Sequence, residues 1–246
     1  MKFCEILFFF SVCLIQPGLF KSQFPSFINV CKRNSDSDAL KCVLDNVERC
    51  REHLAKGIPR LVIPPMDPLI VPSLDIIGHN LNINLKNLNV HNLLALNVAG
   101  GDLKLGHSLV LNLTVPYVFT KFQYEADGKL LGLVFKGDGD GYVNASDVTI
   151  NIEAKSHPVH RNQQTYLDID YIHVEYKAKT GMINIENLFK KQDELNAATN
   201  KLINDNFNAF DNEIAPDIAK SISALIESIA RNLFEKFSYD EMFPEN

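Results

Sequence analysis

The stretch Glu213 to Phe237 reads EIAPDIAKSISALIESIARNLFEKF. On a helical wheel at about 100° per residue, Ile214, Ile218, Ile222, Leu225, Ile226, Ile229, Leu233 and Phe237 share one broad arc. Glu213, Asp217, Lys220, Glu227, Arg231 and Glu235 fall opposite. Ala219, Ala224 and Ala230 favour helix and no glycine interrupts it. Pro216 is the one breaker, so the helix is expected to start or to kink there. Such a helix must bury a wide apolar face. It is either the packing helix of an ordinary α+β core or the wall of an apolar tunnel.

The partner for that face lies upstream. From Leu81 to Tyr176 the hydrophobic period is two. Leu81, Ile83 and Leu85 alternate with Asn82, Asn84 and Lys86. Leu109, Leu111, Leu113 and Val115 follow, then Leu131, Leu133 and Phe135. Val148, Ile150 and Ile152 form a further set, and Leu167, Ile169 and Tyr171 another. These read as long antiparallel strands, apolar on one face and wet on the other. Turns are expected near Gly100-Gly101, Gly106, Asp127-Gly128, Gly137 to Gly141 and His157-Pro158. A long twisted sheet that covers a single long helix will roll around it.

Between strands and final helix, Lys190 to Asn212 reads as polar helix with Leu195, Leu202, Ile203, Phe207 and Phe210 on one face. With the stretch after Pro216 it makes one long or kinked arm. Upstream of the sheet, Pro59, Pro64, Pro65, Pro68 and Pro72 forbid helix and a central strand, so Gly57 to Leu74 should run extended along an edge or an end of the fold. Before that, Ser35 and Asp38 resemble a capping pair ahead of a short amphipathic helix that Gly57 ends. No linker or composition shift divides the chain, so residues 23–246 are expected to form one domain.

Met1 to Ser22 reads as a secretory leader: Lys2, an apolar run from Ile6 to Ile15, then Pro17-Gly18. The run is too short to span a bilayer, and no later stretch reaches the roughly 18 apolar residues of a spanning helix. The full chain carries a net charge of −6, and no basic block survives leader removal, which argues against nucleic acid as a partner. Cys31, Cys42 and Cys50 remain, and one bridge with one leftover thiol is expected. Bridging Cys31 to Cys42 would pin the lead-in to the first helix, and Cys50 reads as a small buried hydrophobe. Asn112-Leu113-Thr114 and Asn144-Ala145-Ser146 are glycosylation sequons.

The sequence holds no nucleophile elbow, zinc-binding H-E-x-x-H pair or phosphate-binding loop. Gly137-Asp138-Gly139-Asp140-Gly141 lacks the closing ligands of a calcium loop and reads as a turn. His157 and His160 have no third metal ligand at a suggestive spacing. Asp168 and Asp170 read as the solvent side of a strand. No enzyme, metal or cofactor is indicated.

Cys31 and Cys42 ahead of a helix, Ala55-Lys56-Gly57-Ile58-Pro59, and Ile63-Pro64-Pro65-Met66-Asp67-Pro68-Leu69 together resemble the N-terminal signature of the insect takeout and juvenile-hormone-binding proteins. Tyr124 to Gly141 and Asn187-Leu188-Phe189 support the likeness. The resemblance implies an α/β-wrap of the TULIP type, a long helix rolled in a curved antiparallel sheet around a hydrophobic tunnel. It also implies a secreted, haemolymph-borne, non-enzymatic carrier of juvenile hormone or another lipophilic ligand. The hormone-binding branch has a second bridge nearer the C-terminus. This sequence has no cysteine after Cys50 and so resembles the takeout branch.

The residues expected to line the tunnel are Ile218, Ile222, Leu225, Ile226, Ile229 and Leu233 on the helix. On the sheet they are Tyr117, Phe119, Leu133, Phe135, Ile169 and Tyr171, with the two tyrosine phenols placed to orient a polar head. The only partner expected is a hydrophobic small molecule, on a monomer without stable membrane insertion. The alternative is a membrane-surface or protein-interaction module that uses its amphipathic arm without a stored ligand.

Overall fold

The computed structural model describes residues 25–77, 81–130, 133–190 and 192–245, so the leader expected over residues 1–22 lies outside them. Helix α1 spans Asp36–Lys56, with the Ser35 hydroxyl accepting from the Asp38 amide at 3.1 Å. Gly57, at φ 78°, ends the helix. A Cβ there would lie 2.8 Å from the Pro65 nitrogen, so only glycine lets the proline segment fold back. A disulfide joins Cys31 to Cys42 and ties the lead-in to this helix, while Cys50 is a free, buried thiol. Burial pushes the Cys50 thiol up from its ordinary value.

The proline segment makes one 3₁₀ turn, Pro59–Leu61, and then enters the sheet as edge strand β1, Leu69–Ile77. The other strands are β2 Leu81–His91, β3 Asn97–Lys104, β4 Ser108–Leu130, β5 Leu133–Arg161 and β6 Gln164–Ile185. They pair antiparallel in the order β1-β2-β4-β5-β6. Strand β3 shares one edge of β4 with β2, pairing Ser108 to Thr114 while β2 takes Phe119 to Gly128.

Several expected turns are strand instead. Asp127-Gly128 stays in β4, and the hairpin connection falls between Leu130 and Leu133. Gly100-Gly101 lies within β3, beside a bulge that follows Val98. His157-Pro158 lies within β5, and the chain reverses at Asn162 and Gln163, both at positive φ (50° and 63°). Gly137 to Gly141 is also strand. These glycines let another segment cross the sheet: Cβ atoms at Gly137 and Gly139 would lie 2.7 Å from the carbonyls of Asn187 and Glu186. The Tyr124 phenol donates to the Glu186 carbonyl at 2.6 Å and fixes that crossing. Gly106 does sit in a turn, at φ 76°.

The helical arm divides differently from the expectation. Helix α2 is Asp193–Asp205 and α3 is Phe207–Lys236, with the break at Asn206. Pro216 is inside α3 rather than at its start. The buried rings of Phe207 and Phe210 hold the first turns of α3 against the sheet. A short helix α4, Tyr239–Met242, follows with a capping box between Ser238 and Glu241.

The sheet curls because its ladder is repeatedly interrupted. β2 bulges between Lys86 and Asn89, and β6 opposite Lys155 and Ser156. The β4–β5 ladder skips Pro116 and Asp147, the latter at φ 51°. Each interruption adds local twist. The result is that α3 packs along β6 and also reaches β1 at the opposite edge, where the Ile77 amide donates to Asp217 at 3.3 Å. A curled antiparallel sheet closed by its C-terminal helix is the architecture expected above.

Candidate functional site

Two packed clusters close the ends of the wrap. At one end Val115, Val148, Ala178, Ile183 and Leu188 meet Ile203, Phe207 and Phe210. At the other, Ile58, Leu61 and Leu167 meet Phe237, Tyr239 and Met242. Between them α3 has no fully buried side chain from Asn212 to Lys236, although its apolar arc faces the sheet. That face is not meshed with the strands throughout.

The space left there is a cavity of about 390 Å³, a size that suits a small apolar ligand. Ile226, Ala230, Leu233 and Phe234 of α3 form one wall. Leu109 and Leu111 of β4, Ile152 and Ala154 of β5, and Leu167, Ile169 and Ile172 of β6 form the other. Val43 of α1 closes the side, and Ile28, Val30, Met242 and Phe243 border it from the two chain ends.

Few polar groups reach this space, and most are occupied. The Asn46 amide accepts from the Asn29 amide and donates to its carbonyl, both at 2.8 Å. The Ser156 amide donates to the His107 carbonyl at 2.9 Å. The chain ends are clamped together beside the cavity. Arg33 meets Asp240 at 2.7 Å, lies 4.9 Å from the Tyr239 ring centroid, and donates its backbone amide to Pro244 at 3.1 Å. Arg231 of α3 donates to the Ile169 carbonyl at 3.0 Å and pairs with Asp168 at 3.3 Å, which sets the spacing of helix and β6. Its hydrogen bond to Glu227, more than any other contact, holds the guanidinium in its charged form.

Of the residues named from the sequence, Ile169, Ile226 and Leu233 line the cavity. Ile218, Ile222, Leu225 and Ile229 are partly buried on α3 outside its lining. Tyr117 and Tyr171 stand on the outer face, 41% and 37% exposed, and Phe119 lies on the same face with its ring beside that of Tyr142. The phenols of Tyr117 and Tyr171 donate to Asn144 and Glu153, each at 2.5 Å. The reason is a change of parity. Val115 points inward, the ladder skips Pro116, and Val118, Phe122 and Tyr124 then point inward. Asp170 is an extra residue opposite Lys155 and Ser156, so Ile169 points in and Tyr171 out. Leu133 and Phe135 pair with Leu130 and Gly128 in the β4–β5 ladder, and their side chains lie outside the described residues.

The wall residues that sequence reasoning missed carried a usable signal. Leu109 and Leu111 belong to the alternation that ends in Val115, and Ile152 belongs to that of Val148 and Ile150. A wider depression of about 750 Å³ lies at the far end of the sheet, bordered by Asp75, Asn84, Glu125, Asp138, Lys136 and Lys190. Ile76, Ile77, Ile83 and Ala126 also line it, so it combines apolar walls with a charged rim, unlike the cavity beside α3. His157 and His160 are engaged with Asp170 at 2.7 Å and Thr165 at 3.2 Å. Among the described residues no helix is long and apolar enough to cross a membrane.

The chain is 27% identical to circadian clock-controlled protein daywake of Drosophila yakuba, over 95% of this chain and 96% of that protein. It is 27% identical to the Drosophila melanogaster protein of the same name, over 89% of this chain and 88% of that protein. Among solved structures, Takeout 1 of Epiphyas postvittana superposes with a TM-score of 0.74 at 16% identity, covering 82% of this chain and 95% of its own. The family model described as haemolymph juvenile hormone binding protein matches residues 6–244. With nearly its full length matched, the chain belongs to the haemolymph juvenile hormone binding protein family.

Proposed function

We propose that this protein is a secreted carrier, one domain after a cleaved leader, that holds a single lipophilic small molecule between α3 and the curled sheet. The observation that carries the reading is the apolar cavity of about 390 Å³ walled by Ile226, Ala230, Leu233, Leu109, Ile152 and Ile169. Such a space removes a hydrocarbon from water at about 0.8 kcal/mol per buried CH₂. Ordering costs offset much of this. A ligand of about 20 heavy atoms at roughly 0.3–0.5 kcal/mol per atom reaches about 6–10 kcal/mol, a Kd from tens of micromolar to tens of nanomolar. That strength suits transport with release.

The matched family is described by what it binds, not by a reaction, which supports a binding role over catalysis. A terpenoid, a juvenile-hormone-like ester or a fatty-acid-like chain fits the walls by its chemistry. The protein is expected to act as a monomer outside the cell. Native mass spectrometry of protein secreted by insect cells tests this. A retained or exchangeable apolar molecule at one per chain is expected. Protein that accepts no apolar ligand, or that floats with liposomes rather than staying in solution, would contradict the carrier reading.

A further inference from the structure

The outer face of the sheet carries an unusual patch around one sequon. Asn144 of β5 lies directly across the ladder from Phe119 on β4 and from Met182 on β6. Tyr142 precedes it by two residues on the same face, and its ring centroid is 6.1 Å from that of Phe119. Tyr117 and Met182 are 41% and 46% exposed. Directly opposed residues on a sheet face stand about 4.5–5.5 Å apart at Cβ, so these side chains surround the asparagine. The other sequon has no such setting: Asn112 faces Gly100 on one side and Asn151 on the other.

The Asn144 amide is also arranged for substitution. Its Oδ1 accepts from the Tyr117 phenol at 2.5 Å, and among the described residues its Nδ2 makes no hydrogen bond. A sugar attached at Nδ2 leaves Oδ1 free to keep that bond. Phe119 and Tyr142 are partly buried, and His91 and Lys121 also lie by Phe119, at 5.9 Å and 5.5 Å from its ring centroid. The C–H-rich face of a pyranose stacks on the ring surface left accessible.

We propose that Asn144 carries an N-linked glycan whose first sugar packs on Phe119 and Tyr142 and shields this patch. The donor is a lipid-linked diphosphate oligosaccharide, met by the extended chain during secretion. The Nδ2–C1 bond forms, the C1–O bond to the diphosphate breaks, the Nδ2 proton goes to a base, and the diphosphate leaves with the electron pair. The proposal rests on the secretory reading above.

The test uses the full chain with its own leader, secreted from insect cells grown with a mannosidase inhibitor. Intact mass is measured for wild type and Asn144→Gln, before and after peptide N-glycosidase. Wild type should lose a core glycan that Asn144→Gln never carries. Thermal unfolding then reads the packing. Trimming to the first sugar should leave Tm unchanged, whereas complete removal, or Asn144→Gln, should lower it by about 2–4 °C. Phe119→Ser and, separately, Tyr142→Ser should abolish that difference. A bare Asn144 in secreted protein overturns the proposal, as does an unchanged Tm on full removal or an undiminished fall in both ring variants. If the chain is retained in the cell, the secretory reading is what fails; the same chain behind a leader of proven secretory function then decides the glycan question by the same masses and melts.

Discussion

The phenol of Tyr176 on β6 donates a hydrogen bond to the carboxyl of Asp211 in the second turn of α3, and Asp211 is only 6% exposed. This buried pair fixes the start of the long helix against the sheet. Tyr176→Phe leaves an Asp211 oxygen buried without its donor and is expected to cost about 1–3 kcal/mol. A denaturant titration checks it. The double variant Tyr176→Phe/Asp211→Leu should recover part of the loss, since removing both partners leaves nothing unsatisfied. A single-variant midpoint equal to wild type would contradict this role.

Alkaline pH should weaken the fold through two tyrosines. Burial, then the charges of Asp138 and Glu186, push the Tyr124 phenol up to about 12. Burial first, then the Asp211 hydrogen bond, push Tyr176 up further. A folded-state value above the unfolded value near 10 means the unfolded chain releases its proton first. The contribution is therefore complete below about pH 10 and is lost as pH rises toward the folded value. Stability measured from pH 9 to 12 should fall less steeply in Tyr124→Phe and Tyr176→Phe than in wild type.

The glycine-rich run of β5 offers a sharp packing test. Gly139→Ala places a methyl 2.7 Å from the Glu186 carbonyl oxygen, a backbone atom in the crossing segment. Overpacking of this kind costs about 1–3 kcal/mol. Gly100→Ala, whose Cβ would meet only the Asn112 side chain at 3.7 Å, should be tolerated. Equal unfolding midpoints for the two variants would show that the crossing is not held as described.

These tests mark where the sequence was readable. The apolar arc of Ile218 to Leu233 and the period-two strands identified the layers and their roll, because burial writes its period directly into residue order. The Ser35 cap, the Gly57 stop and the edge position of β1 were legible for the same local reason. The cavity lining was less so. Periodicity carries a face assignment only until a bulge, and the interruptions at Pro116, Asp147 and Asp170 reversed the faces of Tyr117, Phe119 and Tyr171. The strand nature of Gly137 to Gly141 was hidden too, since those glycines answer to Glu186 and Asn187, distant in sequence.

The Cys31–Cys42 disulfide closes a loop with a sequence separation of 11 beside the cavity. Cys42→Ser is expected to cost about 2–4 kcal/mol and to loosen the lead-in that carries Ile28 and Val30. Cys50, buried and with its thiol pushed up, should alkylate slowly in the native protein and rapidly in denaturant. Mass spectrometry of timed alkylation reads this, and fast native labelling of Cys50 would contradict its placement.

The most direct test is titration of the secreted protein with an apolar fluorescent probe. The chain has no tryptophan, so the probe's near-ultraviolet excitation meets no competing indole. Wild type should bind saturably at one probe per chain. Ala230→Phe, which fills the space between α3 and the sheet, should weaken binding at least about tenfold, or 1.4 kcal/mol, with an unchanged unfolding midpoint. Absence of saturable binding in wild type, or undiminished affinity in a folded Ala230→Phe protein, would contradict a ligand held in this cavity.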